Sequence, residues 1–200
     1  MRRPALALWA LVAACGGAPA PVANHAARGA SEIRAIDWQN HAYTLGNDLG
    51  TVTVAHGDAD FVINDDGKIV AGAAPGTGDG AGNYHVEPPL FADIDGDGSE
   101  DAVISAVTST GGTGHFSEVD VYSVRDHQVV ELATIPGGDR GDGGIRKVTL
   151  DGATIVVERN VLAAGEGICC ASHAQRERWR WHAGALVEDT AARTPAAPVR

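Results

Sequence analysis

Apolar and polar residues alternate with a period of two along much of this chain. Thr51-Val52-Thr53-Val54 and Ser117-Glu118-Val119-Asp120-Val121 each put apolar side chains on one face and polar ones on the other, as a half-buried strand does. Elsewhere turn residues separate two apolar runs. Phe61-Val62-Ile63-Asn64-Asp65-Asp66-Gly67-Lys68-Ile69-Val70 has this layout, and Val148-Thr149-Leu150-Asp151-Gly152-Ala153-Thr154-Ile155-Val156-Val157 repeats it. Both predict hairpins. Val124 to Val130 predicts a third, with a longer turn. Arg176, Arg178 and Arg180 alternate with Glu177, Trp179 and Trp181, which sets two tryptophans on one strand face and three arginines on the other. Ala183-Gly184 then turns the chain into Ala185-Leu186-Val187. After the first residues, no window of twelve or more carries a helical period. The expected fold is all-β and antiparallel, a sandwich or a curled meander of hairpins.

The start of the chain reads differently. Met1-Arg2-Arg3-Pro4 precedes the apolar run Ala5 to Ala14, and Cys15 follows. The run is shorter than the roughly 20 residues needed to span a bilayer. It has the layout of an export signal, to be left out of fold reasoning. Leu11-Val12-Ala13-Ala14-Cys15 resembles the bacterial lipobox. That resemblance implies lipid on the Cys15 sulfur, cleavage before Cys15 and residence in the cell envelope, with Gly16 leaning toward the outer membrane in a Gram-negative host. The expected organisation is a signal peptide over 1–14, a lipidated cysteine and flexible tether over 15–34, one all-β domain over 35–190 and a disordered tail over 191–200. The tether reading rests on the Ala, Gly and Pro content of Gly16 to Ala30. Two prolines and the lack of pattern in Ala191 to Arg200 suggest the tail.

Charge narrows the partners. The formal net charge is −11, and losing Arg2 and Arg3 with the signal makes it more negative. An acidic chain disfavours nucleic acid, whose phosphates need a basic surface. It also disfavours adsorption to anionic headgroups and favours cations. The expected partners are the membrane, through the anchor, and an envelope protein or glycan.

One segment carries a specific chemistry. Asp93-Ile94-Asp95-Gly96-Asp97-Gly98-Ser99-Glu100-Asp101 places carboxylates at positions 1, 3, 5 and 9 with glycine at 6, the spacing of a calcium loop. Calcium takes six to eight oxygens at about 2.3–2.6 Å, so a backbone must curl to present alternate side chains inward. The expected ligands are the side chains of Asp93, Asp95, Asp97 and Asp101 with the Ser99 carbonyl, and the expected role is structural. Position 12 is Ile104, not the glutamate of an EF-hand, and the β-branched run after Asp101 predicts a strand. The segment resembles the calcium loops of FG-GAP and VCBS repeats, over about Leu90 to Val107 and once only. The wider chain, with Thr110-Gly111-Gly112-Thr113-Gly114, Gly138 to Arg146, Val157-Glu158-Arg159-Asn160, Cys169-Cys170 and Trp179-Arg180-Trp181, resembles secreted or lipid-anchored bacterial domains. Its opening part resembles the LppP/LprE lipoprotein group.

Other signals have plainer readings. Gly72 to Asn83 reads as a loop, without the Gly-Lys-Ser/Thr ending of a phosphate loop. Arg140-Gly141-Asp142 reads as a turn, and the Trp179/Trp181 face as core. With Cys15 lipidated, the adjacent Cys169 and Cys170 form a vicinal disulfide, remain thiols, or join His173 at a soft-metal or redox site. That last option keeps open an envelope enzyme, either a hydrolase with an unrecognised carboxylate pair or a thiol-redox protein.

Overall fold

The computed structural model describes residues 32–46, 49–70, 80–111, 114–167 and 170–199. The signal segment, Cys15, most of the tether, Cys169 and most of the glycine-rich loop at 72–83 lie outside them. A helical turn at 32–35 and a 3-10 helix at Trp38–Asn40 lead into β1 (Ala42–Leu45) and β2 (Gly50–Thr53), which pair with each other. Next come β3 (Asp58–Ile63), β4 (Ile69–Val70), β5 (Ala81–Val86), β6 (Leu90–Ala92), β7 (Asp101–Ser109), β8 (His115–Arg125) and β9 (Gln128–Gly138). They form one antiparallel seven-stranded sheet in the order β4-β3-β5-β7-β8-β9, with β6 also on β7. The last strands are β10 (Ile145–Asp151), β11 (Thr154–Val161), β12 (His173–His182), β13 (Ala185–Glu188) and β14 (Ala197–Pro198). They build a second sheet, β10-β11-β12-β13, with β14 added to β12. The fold is all-β and antiparallel, as the alternation predicts.

The three sheets form layers, with the seven-stranded sheet in the middle. One of its faces meets the β1–β2 hairpin and the N-terminal turn across a core that includes Trp38, Tyr43, Phe61, Tyr84 and Ile104. The other packs Val103, Val119, Val121 and Ile135 against Ile155 and Val157 of the second sheet. A strand covered on both faces needs apolar residues throughout instead of alternation. Hence β7 reads Ala102-Val103-Ile104 and buries all three.

The expected hairpins form at β3–β4, β8–β9 and β10–β11. The β8–β9 turn is shorter than expected. Arg125 faces Gln128, so only Asp126 and His127 turn the chain, both left-handed at φ 50° and 62°. Such a two-residue turn matches the strand twist, and Asp and His tolerate this backbone better than most residues.

Two expected boundaries shift. Residues 32–34, assigned to the tether, belong to the folded unit: Ile33 is fully buried and its carbonyl accepts the Trp38 indole N–H at 3.1 Å. Residues 191–199, assigned to a disordered tail, carry β14 against His173 and Ala174, and the Thr194 hydroxyl accepts the Arg176 N–H at 2.9 Å. Free backbone groups on β12 make even a patternless segment a useful pairing partner.

The Arg140–Asp142 tripeptide is a 3-10 turn, as its glycine-rich setting suggests. Asp139 Oδ1 accepts the N–H groups of Gly141 and Asp142. The chain then passes so close to β11 that a Cβ on Gly143 would sit 2.1 Å from the Asn160 carbonyl oxygen, with φ at +90°. Gly143→Ala is expected to lower stability by about 2–4 kcal/mol through combined clash and backbone strain. Urea unfolding checks this, and a loss under about 0.5 kcal/mol, the usual size for a surface change, would contradict it.

Candidate metal centre

The aspartate segment links β6 to β7, two strands that pair with each other, so both ends of the loop are held. Inside it the aspartates cap the backbone. Asp93 accepts the N–H groups of Gly96 and Gly98 at 2.8 and 3.0 Å. Asp95 Oδ1 accepts from Asp97 at 3.0 Å, and Asp97 Oδ1 from Ser99 at 2.7 Å. Gly96 and Gly98 stand at φ +79° and +90°, where any Cβ is strained. This is the curl the spacing predicts.

Asp93, Asp95 and Asp101 come together, each offering a carboxylate oxygen within 4.8 Å of the others. Among the described residues this is the one group of three or more His, Cys, Asp or Glu side chains so placed. The cluster could hold a metal ion. Asp97 stands outside it.

Asp101 begins β7 and is fully buried. Its Oδ2 accepts the Ile94 N–H at 2.8 Å and the Asp95 N–H at 3.3 Å, while Oδ1 is buried without a hydrogen-bond partner. Burial holds its pKa above the usual aspartate range. The nearby Ser123 hydroxyl and the Ile94 N–H draw it partly back, and the Asp95 charge adds to the rise. Ser123 Oγ is itself buried without a bond of good geometry. A buried carboxylate oxygen without a well-formed hydrogen bond costs up to about 1–3 kcal/mol, and a bound cation would remove that cost.

Two arginines brace the loop from outside. Arg34, on the N-terminal turn, pairs with Glu100 through two bonds at 2.5 and 2.9 Å and lies 4.5 Å over the Phe91 ring. Arg125, at the end of β8, reaches Asp95 Oδ2 at 2.6 Å. Neither position has a sequence signal, because the partners are 66 and 30 residues away.

A second acidic group has no counterpart in the sequence reading. Glu118 and Asp120 on β8 and Glu131 and Thr134 on β9 line a groove of about 420 Å³ closed by Thr44, Leu45 and Gly46. Asp120 is only 5% exposed. Burial first, then the Glu118 charge, push its pKa up to about 7, although the Thr134 hydroxyl donates to it at 2.7 Å. Burial also raises Glu118. The alternating segment Ser117 to Val121 gives no hint of this, since a period of two does not tell which polar face meets solvent.

The cysteine pair is described only in part. Cys170 is disulfide-bonded, whereas Cys169 and Cys15 lie outside the described residues. His173 Nδ1 sits 2.8 Å from the Ser172 hydroxyl. Of the two tryptophans expected in the core, Trp179 packs between the two large sheets, and Trp181 is only partly buried. Comparison with known proteins finds no match: no family model, curated protein or solved structure is similar to this chain.

Proposed function

We propose that the chain is a calcium-binding β domain of the cell envelope, held by lipid on Cys15, whose loop from Asp93 to Asp101 binds the ion for a structural purpose. The observation that carries this reading is the convergence of Asp93, Asp95 and the fully buried Asp101, whose Oδ1 lacks a hydrogen bond of good geometry. The donor set favours a hard cation: it consists of carboxylates, with no thiol or imidazole in the cluster. Calcium suits it better than magnesium, because flexible multi-oxygen coordination tolerates a curled backbone, whereas magnesium demands near-ideal octahedral geometry. The ion would fix the loop that closes the β6–β7 hairpin of the middle sheet. Such a domain acts by binding or scaffolding, and an envelope protein or glycan is the proposed partner class.

Thermal unfolding of the full chain tests this. Calcium at about a hundred times its dissociation constant adds about 2.7 kcal/mol. For a chain of this size that raises Tm by roughly 5–10 °C over EDTA. Magnesium is expected to give a smaller rise, and Asp95→Ala to abolish the calcium effect. Identical melting in CaCl2 and EDTA would overturn the proposal.

A further inference from the structure

We infer that Arg125 is a built-in counter-ion of the aspartate loop, holding the loop in shape without metal and lowering its affinity for calcium. This rests on the calcium reading above.

The Asp95 side chain is 4% exposed and lies in the cluster with Asp93 and Asp101. A buried carboxylate needs a compensating positive group, and the Arg125 guanidinium supplies it at 2.6 Å on Oδ2. The other oxygen is taken by the Asp97 N–H. A metal ion drawing on either oxygen of Asp95 therefore meets a carboxylate already engaged by a cation. The two positive charges repel at close range, so the ion must displace Arg125 or tolerate it.

The structure gives Arg125 room to yield. Its side chain is half exposed, and it comes from the end of β8, outside the loop it stabilises. Swinging into water returns the guanidinium to hydration, and the incoming cation takes its place as the counter-ion of the buried Asp95 carboxylate. Arg34 provides an internal contrast. It carries the same charge beside the same loop, but it pairs with Glu100, which is outside the cluster. A long-range field effect would register at both arginines, whereas direct competition singles out Arg125.

The test is calcium titration calorimetry on the full chain in detergent, with wild type, Arg125→Gln and Arg34→Gln. Arg125→Gln is expected to tighten calcium binding roughly tenfold or more, as follows from removing one like charge next to a partly exposed divalent site. It is also expected to lower Tm in EDTA. Arg34→Gln should change affinity by less than about threefold, the residue of a screened charge farther from the ion. Circular dichroism confirms that each variant is folded. Arg125→Lys, which keeps the charge, should bind within a few-fold of wild type and guards against a folding artefact in the glutamine variant. If wild type binds and Arg125→Gln binds equally or more weakly, the inference fails while the calcium reading stands. If Arg34→Gln tightens binding as much as Arg125→Gln, direct competition is wrong. If neither wild type nor any variant binds calcium, the proposed function itself fails.

Discussion

Replacing Glu177 by alanine is expected to remove about 3–5 kcal/mol of stability, the usual cost of leaving one member of a buried ion pair alone. Glu177 lies on β12 with its side chain 4% exposed. It accepts two bonds from Arg159 at 3.0 and 3.2 Å and one from the Trp179 indole at 3.2 Å. Arg159 also donates to the main-chain oxygens of Gly137 and Pro136, at the end of β9. One guanidinium thus ties the second sheet to the middle one, and Glu177 fixes its orientation. Alanine would strand Arg159, which is only 18% exposed, and leave the Trp179 N–H unpaired. In thermal unfolding the loss corresponds to about 10 °C in Tm. Glu177→Gln should fall in between, since it can still accept hydrogen bonds but lacks the charge. A cost below about 1 kcal/mol for the alanine variant would show that the pair does not hold the sheets together.

Neutralising Asp120 should act in the opposite direction. With its pKa pushed up to about 7 in the folded protein and near 3.9 when unfolded, the folded state keeps a proton that the unfolded chain has released. Stability therefore falls as pH rises through that window, and the full penalty applies above pH 7. The charges that act on Asp120 are the anions Glu118 and Glu131, so none relieves the burden. Asp120→Asn keeps an acceptor for the Thr134 hydroxyl and removes the charge. It is expected to stabilise the protein at pH 8 by up to about 4 kcal/mol, with little effect near pH 4. The check is Tm against pH for both proteins. The wild-type curve should drop between about pH 4 and 7 more steeply than that of the variant, and parallel curves would refute the argument.

These two sites show where local pattern stops being informative. Glu118 and Asp120 occupy the polar face of an alternating strand, a face expected to meet water. They are covered because β8 belongs to a middle layer, and Leu45 and Gly46 of the β1–β2 hairpin close over them. Glu177 lies on the tryptophan face of β12, opposite the arginines, as its register requires. That it is an anchor and not a misplaced charge depends on Arg159, which a separate strand delivers. The outer limits of the folded unit were hidden for the same reason. Ile33 and the 191–199 segment show no period of their own, and their place comes from the surfaces they meet.

By itself the sequence determined the secondary structure class, three of the hairpins, the strand after Asp101 and the curl of the aspartate loop. All depend on residues within about a dozen positions of each other, where side-chain period, turn geometry and backbone capping are decided. Only the tertiary structure decided that Asp101 is buried with one oxygen short of a well-formed hydrogen bond, that Arg125 rather than solvent balances Asp95, and that an acidic groove sits beneath the first hairpin. Burial and ion pairing depend on which distant surfaces meet, and a period of two names the faces of a strand without naming what covers them.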